Sequence, residues 1–270
     1  NLELRKFTKF VDKTFIEGEK EAKKPVVMVS VAATFKNPWQ GKGFVEDLKP
    51  VILDLAPKLG DILVPELIIK GPKKIKASAG FDAISQAIES LISIKSDSRS
   101  VNFAKKSLNI SLKYFVDYIN RPTIDNTFKM ALAANLSGKA ISISKTTAPH
   151  ALSYPFTALY NVPHGHAVSL TLNKFLKFNY FNSDHSNCNF NLEKRFQLLF
   201  NLTNTKNLNE LDHYLLKLKK KASLEQNFLR LGININKDFN KIIKGLNEQR
   251  LKNNPIKVSI KDIQYILKIF

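Results

Sequence analysis

Asp82, Gln86 and three closely spaced histidines are the residues of this chain whose types and order could do chemistry. Asp82 and Gln86 stand four apart in a segment of helical periodicity, which puts both side chains on one helix face. Three of the five histidines, His150, His164 and His166, fall within seventeen residues. His150 stands at the start of one expected helix, and His164, after Pro163, at the start of the next. A carboxylate and imidazoles gathered from separate helices make the donor set of a divalent ion such as Fe2+ or Zn2+, and helical bundles build such centres in their cores. Spacing alone leaves the ordinary readings open: an Asp-x3-Gln pair on a solvated face, and two histidines that never meet. His185 and His213 read as surface histidines.

The words around these residues carry a resemblance. Gly80–Ser90 (GFDAISQAIES) resembles the metal-binding helix of the iron-containing (group III) alcohol dehydrogenases. Thr146–Pro155 (TTAPHALSYP) and Tyr160–His166 (YNVPHGH) look like that family's two histidine segments, in the same order. Val64–Leu67 (VPEL) is similar to the segment before its helical domain, and Asn135–Ala140 (NLSGKA) also fits. Arg250–Pro255 (RLKNNP) resembles the tail of its phosphonoacetaldehyde reductase-like branch. The resemblance implies reduction of an aldehyde by NAD(P)H at a divalent ion, Fe2+ or Zn2+. It puts Asp82, His150 and His164 on metal-ligand positions, and Gln86 where most members carry a third histidine. An amide oxygen is neutral and a weaker ligand than imidazole. Tyr154, one turn after His150, takes a catalytic position from which a phenol relays a proton, beside the ordinary reading of a packed aromatic. His166 is expected to line the catalytic cleft rather than to bind metal.

The chain also departs from that pattern. Members begin with a dinucleotide-binding half whose Gly-rich turn cradles the pyrophosphate with backbone N–H groups. No such turn precedes Pro25, and Ser30–Asn37 (SVAATFKN) stands where a second glycine-bearing segment belongs. Tight NAD(P)H binding by this chain alone is therefore not expected. Two readings follow: a fragment of a longer dehydrogenase, or a truncated, catalytically inactive relative that serves as a helical binding or structural module. A metal-dependent lyase of the dehydroquinate synthase kind shares the architecture but fits the histidine words less well.

The elements that must position these residues split into two regions. Residues 1–73 read as a partial α/β nucleotide-binding portion: a lysine-rich helix over 1–20, a strand at Pro25–Ala33, a loop at Lys36–Gly43, and short strands at Val51–Leu55 and Asp61–Val64. Residues 74–270 read as an all-α helical bundle, the metal-binding catalytic domain, giving an architecture of the dehydroquinate synthase and iron-containing alcohol dehydrogenase type. Ser78 is expected to cap a helix to about Ser93 with Phe81, Ile84, Ile88, Leu91 and Ile92 on one face. Helices follow over Ser98–Tyr118, from Thr123 to about Ser142, His150–Tyr160 and His164–Asn179. A polar loop covers Asn182–Asn191, and three or four more helices have boundaries at Gly232 and Gly245.

The chain has 270 residues, 44% of them hydrophobic and 24% charged, the profile of a globular protein able to bury a core. Its formal net charge is +19, yet only six of the 42 basic residues are arginine. Nucleic-acid sites rely on arginine for bidentate and stacking contacts, so the excess reads as a lysine-rich composition without a nucleic-acid partner. A small anionic aldehyde would benefit from such a field, with Lys139 and Lys145 as candidate contacts. No apolar run is long enough to span a membrane. The single cysteine, Cys188, fits a reducing, cytoplasmic location. A homo-oligomer is compatible with the sequence.

Overall fold

The computed structural model describes Leu63 and residues 65–269. The chain divides into two compact units, residues 1–64 and 65–270. The helix, strands and loop expected before Val64, and the nucleotide-binding role given to them, lie outside the described residues. The division falls nine residues before the expected boundary at 73. The reason is local: a one-turn helix, α1 (Glu66–Ile69), joins the helical unit, and Lys76 Nζ donates to the Ile69 carbonyl at 3.1 Å.

No strand occurs among the described residues. The central helix is α2 (Lys73–Ile92). It starts one residue after Pro72, since proline presets helical φ and has no N–H to leave unpaired. Ser78 is therefore an interior residue and not the cap. Its hydroxyl accepts the backbone N–H of His166 at 3.1 Å, a bond between helices. Phe81, Ile84, Ile88, Leu91 and Ile92 are buried as expected, but the helix is buried almost all round rather than on one face. A helix in that position is the core of its domain.

Around it pack α3 (Ser98–Asn120), α4 (Ile124–Ser144) and α6 (His164–Phe181). Asp97 starts α3 and Thr123 starts α4, each through a capping box with the residue three further on, Ser100 and Asn126. One apolar core lies between α2, α3, α4, α7 (Leu192–Thr203) and α8 (Leu208–Lys221). A second joins α5 (Ala148–Tyr160), α6, α9 (Ile235–Lys244) and α11 (Ile260–Ile269). The short α10 (Glu248–Leu251) packs on α5. Gly245 ends α9, and Gly232, at φ 76°, ends a single 3-10 turn.

α5 contains Pro155 in its interior. Proline offers no N–H to the carbonyl four residues back, so the Ala151 oxygen accepts from outside the helix, from the Asn247 N–H at 3.3 Å. Asn247 then caps α10 through the Arg250 N–H at 3.0 Å. Asn253 Nδ2 donates to the Thr146 carbonyl at 3.1 Å, and the Asn253 carbonyl accepts from Ile94 N at 3.1 Å. Asn254 pairs with Asn179 through buried amides, 2.8 Å from Nδ2 to Oδ1. The RLKNNP segment is thus stitched to the start of α5 and the end of α2.

Lys219 on α8 is buried, donating to the Ser169 carbonyl and to Gln226 Oε1 at 2.9 Å, over the Phe81 ring. Burial pulls its ammonium pKa down to about 7, with Lys174 adding to the fall and Asp212 opposing it. Between that value and the ordinary lysine value the unfolded chain holds a proton the folded chain sheds, so stability rises with pH across the interval. Lys219→Met removes this dependence. Denaturant titrations at pH 7 and pH 9 are expected to show the native chain gaining about 2 kcal/mol more than the variant over those two units. An identical pH response in both would show that Lys219 stays charged inside the fold.

Candidate metal centre

Three donor side chains meet where α2, α5 and α6 converge. Asp82 is in the third turn of α2, His150 is the third residue of α5, and His164 is the first of α6. One ligand atom from each lies within 4.8 Å of the other two. His150 Nε2 is 3.2 Å from Asp82 Oδ1, and His164 Nε2 is 3.8 Å from the same oxygen. The two imidazole rings meet nearly edge to face, with centroids 5.4 Å apart. Asp82 and His150 are buried and His164 is half-buried, so the centre opens on the His164 side.

The far nitrogens of both rings are held, and that fixes what the near ones offer. His150 Nδ1 bonds the Glu89 carboxylate, two turns along α2 from Asp82. The other Glu89 oxygen accepts the Thr147 N–H at 2.8 Å and the Thr147 hydroxyl at 2.7 Å. A fully buried carboxylate thus caps α5 and orients its histidine at once. Ser153 Oγ donates to the His150 carbonyl at 2.8 Å and lies 3.3 Å from His164 Nδ1. With that hydroxyl proton used, Nδ1 of His164 donates to the serine oxygen, and its Nε2 lone pair faces Asp82.

The electrostatics of this point favour a cation. Burial works against charging His150, but the Glu89 and Asp82 carboxylates outweigh it and raise its pKa to about 9. Burial pushes the Asp82 carboxyl up, while the hydrogen bond to His150 and the charges of His150, His164 and Arg250 bring it below its usual value. Burial chiefly lowers the pKa of His164, against the pull of the Asp82 carboxylate. A carboxylate oxygen and two imidazole nitrogens with secured far sides fit a divalent transition ion in both chemistry and spacing.

Gln86, expected as a fourth ligand, is beside the centre but turned otherwise. Its Nε2 donates to Asp82 Oδ2 at 2.8 Å and its Oε1 faces the Ser137 hydroxyl at 2.9 Å. It holds the second oxygen of Asp82 and leaves the first for the shared point. Tyr154 is at the open side, its ring edge-to-face with His164 at 5.9 Å between centroids. His166, expected to line the cleft, donates its Nε2–H to the Glu225 carbonyl at 2.6 Å, a bond that pins the chain after α8. His185 and His213 are exposed, as expected. Lys145, a candidate substrate contact, donates to the Ser142 carbonyl at 2.8 Å. Sequence reasoning passed over Glu89 and Arg250. Glu89 shares the helix face of Asp82, seven residues on, and that spacing was the available signal.

His164 reaches Asp82 only because Gly165 lies against α2. A Cβ on Gly165 would come 2.0 Å from the Ser78 carbonyl oxygen and 2.7 Å from the Asp82 Cβ. Gly165→Ala is expected to force α6 off α2, costing about 2 kcal/mol or more of stability and weakening binding of Co2+ in equilibrium dialysis; a variant with native melting and native Co2+ affinity would refute this. Glu89→Gln keeps shape but removes the charge behind His150. A fall of roughly 10- to 100-fold in Co2+ affinity is expected, with helicity by circular dichroism retained. Unchanged affinity would show that Glu89 serves only as a cap.

The family model of the Fe-containing alcohol dehydrogenases, C-terminal part, matches residues 76–269. A second model, described as amino acid synthesis, matches residues 4–81, less than a third of the chain. Phosphonoacetaldehyde reductase of Streptomyces viridochromogenes is 31% identical over 121 residues, 44% of this chain and 30% of that protein. NAD-dependent methanol dehydrogenase of Bacillus methanolicus is 26% identical over 176 residues, 60% of this chain and 45% of that protein. Sulfoacetaldehyde reductase of Bifidobacterium kashiwanohense, solved with NAD+, superposes with a TM-score of 0.66 at 25% identity, covering 78% of this chain and 55% of that one. An alcohol dehydrogenase from an archaeal Red Sea brine pool source gives a TM-score of 0.70 at 20% identity, covering 77% and 54%. The chain spans less than half the length of these curated relatives and about half that of the solved structures. The chain belongs to the iron-containing alcohol dehydrogenase family, and its described residues form the helical C-terminal domain of that family.

Proposed function

We propose that this chain supplies the metal-holding part of an NAD(P)-dependent alcohol dehydrogenase that reduces a small anionic aldehyde such as phosphonoacetaldehyde. The observation that carries the reading is the convergence of Asp82, His150 and His164, with Glu89 and Ser153 securing the far nitrogens. A divalent ion held there, Fe2+ or Zn2+, would supply Lewis acidity toward a carbonyl oxygen. Asp82, His150 and His164 hold that ion, and Gln86 keeps the Asp82 carboxylate in register. Tyr154, on the open side against His164, is placed to shield the reacting carbonyl from water on one face. Its hydroxyl would give a proton to the substrate oxygen, the hydride being what a bound NAD(P)H would supply. The kinship with reductases named for phosphonoacetaldehyde and sulfoacetaldehyde supports an anionic substrate.

The test uses the metal-free chain. One Co2+ or Fe2+ per chain is expected in equilibrium dialysis, and His150→Ala is expected to lower the affinity at least 100-fold. With Fe2+ bound, NADH oxidation by phosphonoacetaldehyde is followed by absorbance, the NADH concentration being raised until the rate no longer changes, to offset the weak cofactor binding expected of this chain alone. An ion bound by the native chain with no turnover of any aldehyde would overturn the reductase reading in favour of an inactive helical module. No ion bound at all would overturn the metal reading itself.

A further inference from the structure

Arg250 stands at the open side of the metal centre with most of its donors uncommitted. Its guanidinium carbon lies 5.4 Å from the centre of the Tyr154 ring, the ring that meets His164 on its other contact. One Nη bonds the Thr146 hydroxyl. Its charge acts on both Asp82 and His164. The residue is half-buried, and no ion pair joins it to a carboxylate among the described residues. Arg99, Arg121 and Arg230 behave otherwise, each on the surface and each paired with an acid, Asp97, Asp117 and Glu225. Arg195 instead stacks on Phe190, away from any described donor cluster.

The placement of Arg250 is built rather than incidental. Pro155 frees the Ala151 carbonyl for Asn247, Asn247 caps the turn that carries Arg250, and Asn253 returns to the Thr146 carbonyl. Gly245 lets that turn close on α5, since a Cβ there would come 3.0 Å from the Pro155 Cβ. Thr146 therefore receives Arg250 on its hydroxyl and Asn253 on its carbonyl, while its neighbour Thr147 is held by Glu89. The guanidinium and the His150 imidazole are fixed through the same short stretch, residues 146–150.

We propose that Arg250 is the specificity residue of the cleft, binding a tetrahedral oxyanion, phosphonate or sulfonate, at the end of the substrate remote from the carbonyl. The inference rests on the metal-centred reductase reading above. A guanidinium offers five N–H donors in a planar fork that matches two oxygens of such a group. The cation–π contact with Tyr154 and the bond to the Thr146 hydroxyl hold the group and leave its remaining N–H donors for the ligand. A lysine at this position would keep the charge but lose the fork and the stacking.

The test loads the chain with Co2+ and follows the 31P relaxation of 2-hydroxyethylphosphonate, which the paramagnetic ion enhances only for a bound phosphonate close to it. Enhancement with saturable binding is expected for the native chain. Arg250→Gln is expected to weaken binding at least tenfold, about 1.4 kcal/mol, and Arg250→Lys to recover only part of it. 2-Hydroxyethylsulfonate should displace the phosphonate, and propan-1-ol at the same concentration should not. Melting curves of both variants within a few degrees of the native chain would separate recognition from misfolding. Native-like phosphonate affinity in Arg250→Gln, or no saturable phosphonate binding by the native Co2+ form, overturns this proposal while leaving the metal reading intact. Failure of the native chain to take up Co2+ overturns the metal reading on which it rests.

Discussion

Glu89 is the group on which the rest of the centre depends. Its carboxylate is fully buried, and a polar group in that position is tolerated only if its oxygens find hydrogen-bond partners. One oxygen receives two donors from Thr147 and the other receives His150. The first pair fixes where α5 begins, because a helix start exposes N–H groups and a partial positive charge that a carboxylate satisfies. The second fixes the rotation of His150 about its own axis, and hence the direction of Nε2. A single side chain of α2 thus sets the origin of α5 and the aim of its ligand, relative to a second side chain of α2 that is itself a ligand.

The other arm is set by absence of bulk. His164 is the first residue of α6, and the backbone of the next residue touches α2 where no Cβ fits. Ser78 accepts the His166 N–H in the same contact, so the open end of α6 is satisfied by α2 itself. His166 extends the same function one step outward by holding Glu225. The sequence His-Gly-His therefore carries one donor, one close approach and one brace, three roles that a single motif word hides.

The convergence of Asp82, His150 and His164 was legible through the words around these residues, since spacing alone left Asp82 on either face of its helix. The helix starts at Asp97 and Thr123 were legible because capping acts between near neighbours. What stayed hidden depends on contacts between distant segments. Ser78 looks like a cap, yet its partner is 88 residues away. Gln86 looks like a ligand because it occupies a ligand's position, but the amide group turns its N–H to the carboxylate and its oxygen to Ser137. Arg250 meets Thr146 across 104 residues of chain, through an interior proline whose effect is to free a carbonyl for another segment. Periodicity records which face a residue is on, and it carries nothing about which remote backbone group comes to meet it.

The charge of the assembled centre ties these pieces together. Asp82 and Glu89 bring two negative charges into a buried place, and the raised pKa of His150 shows how strongly that place attracts a positive one. A divalent ion between Asp82, His150 and His164 would offset that negative charge. The Arg250 side chain is then left over, half-buried, with Tyr154 and Thr146 as its contacts among the described residues. Most of the chain's other positive charge sits on lysines that water screens. A guanidinium half-buried beside the Tyr154 ring is screened less. The +19 of the whole chain is diffuse, whereas this one charge has a direction, and selectivity for an anion depends on the directed charge rather than on the total.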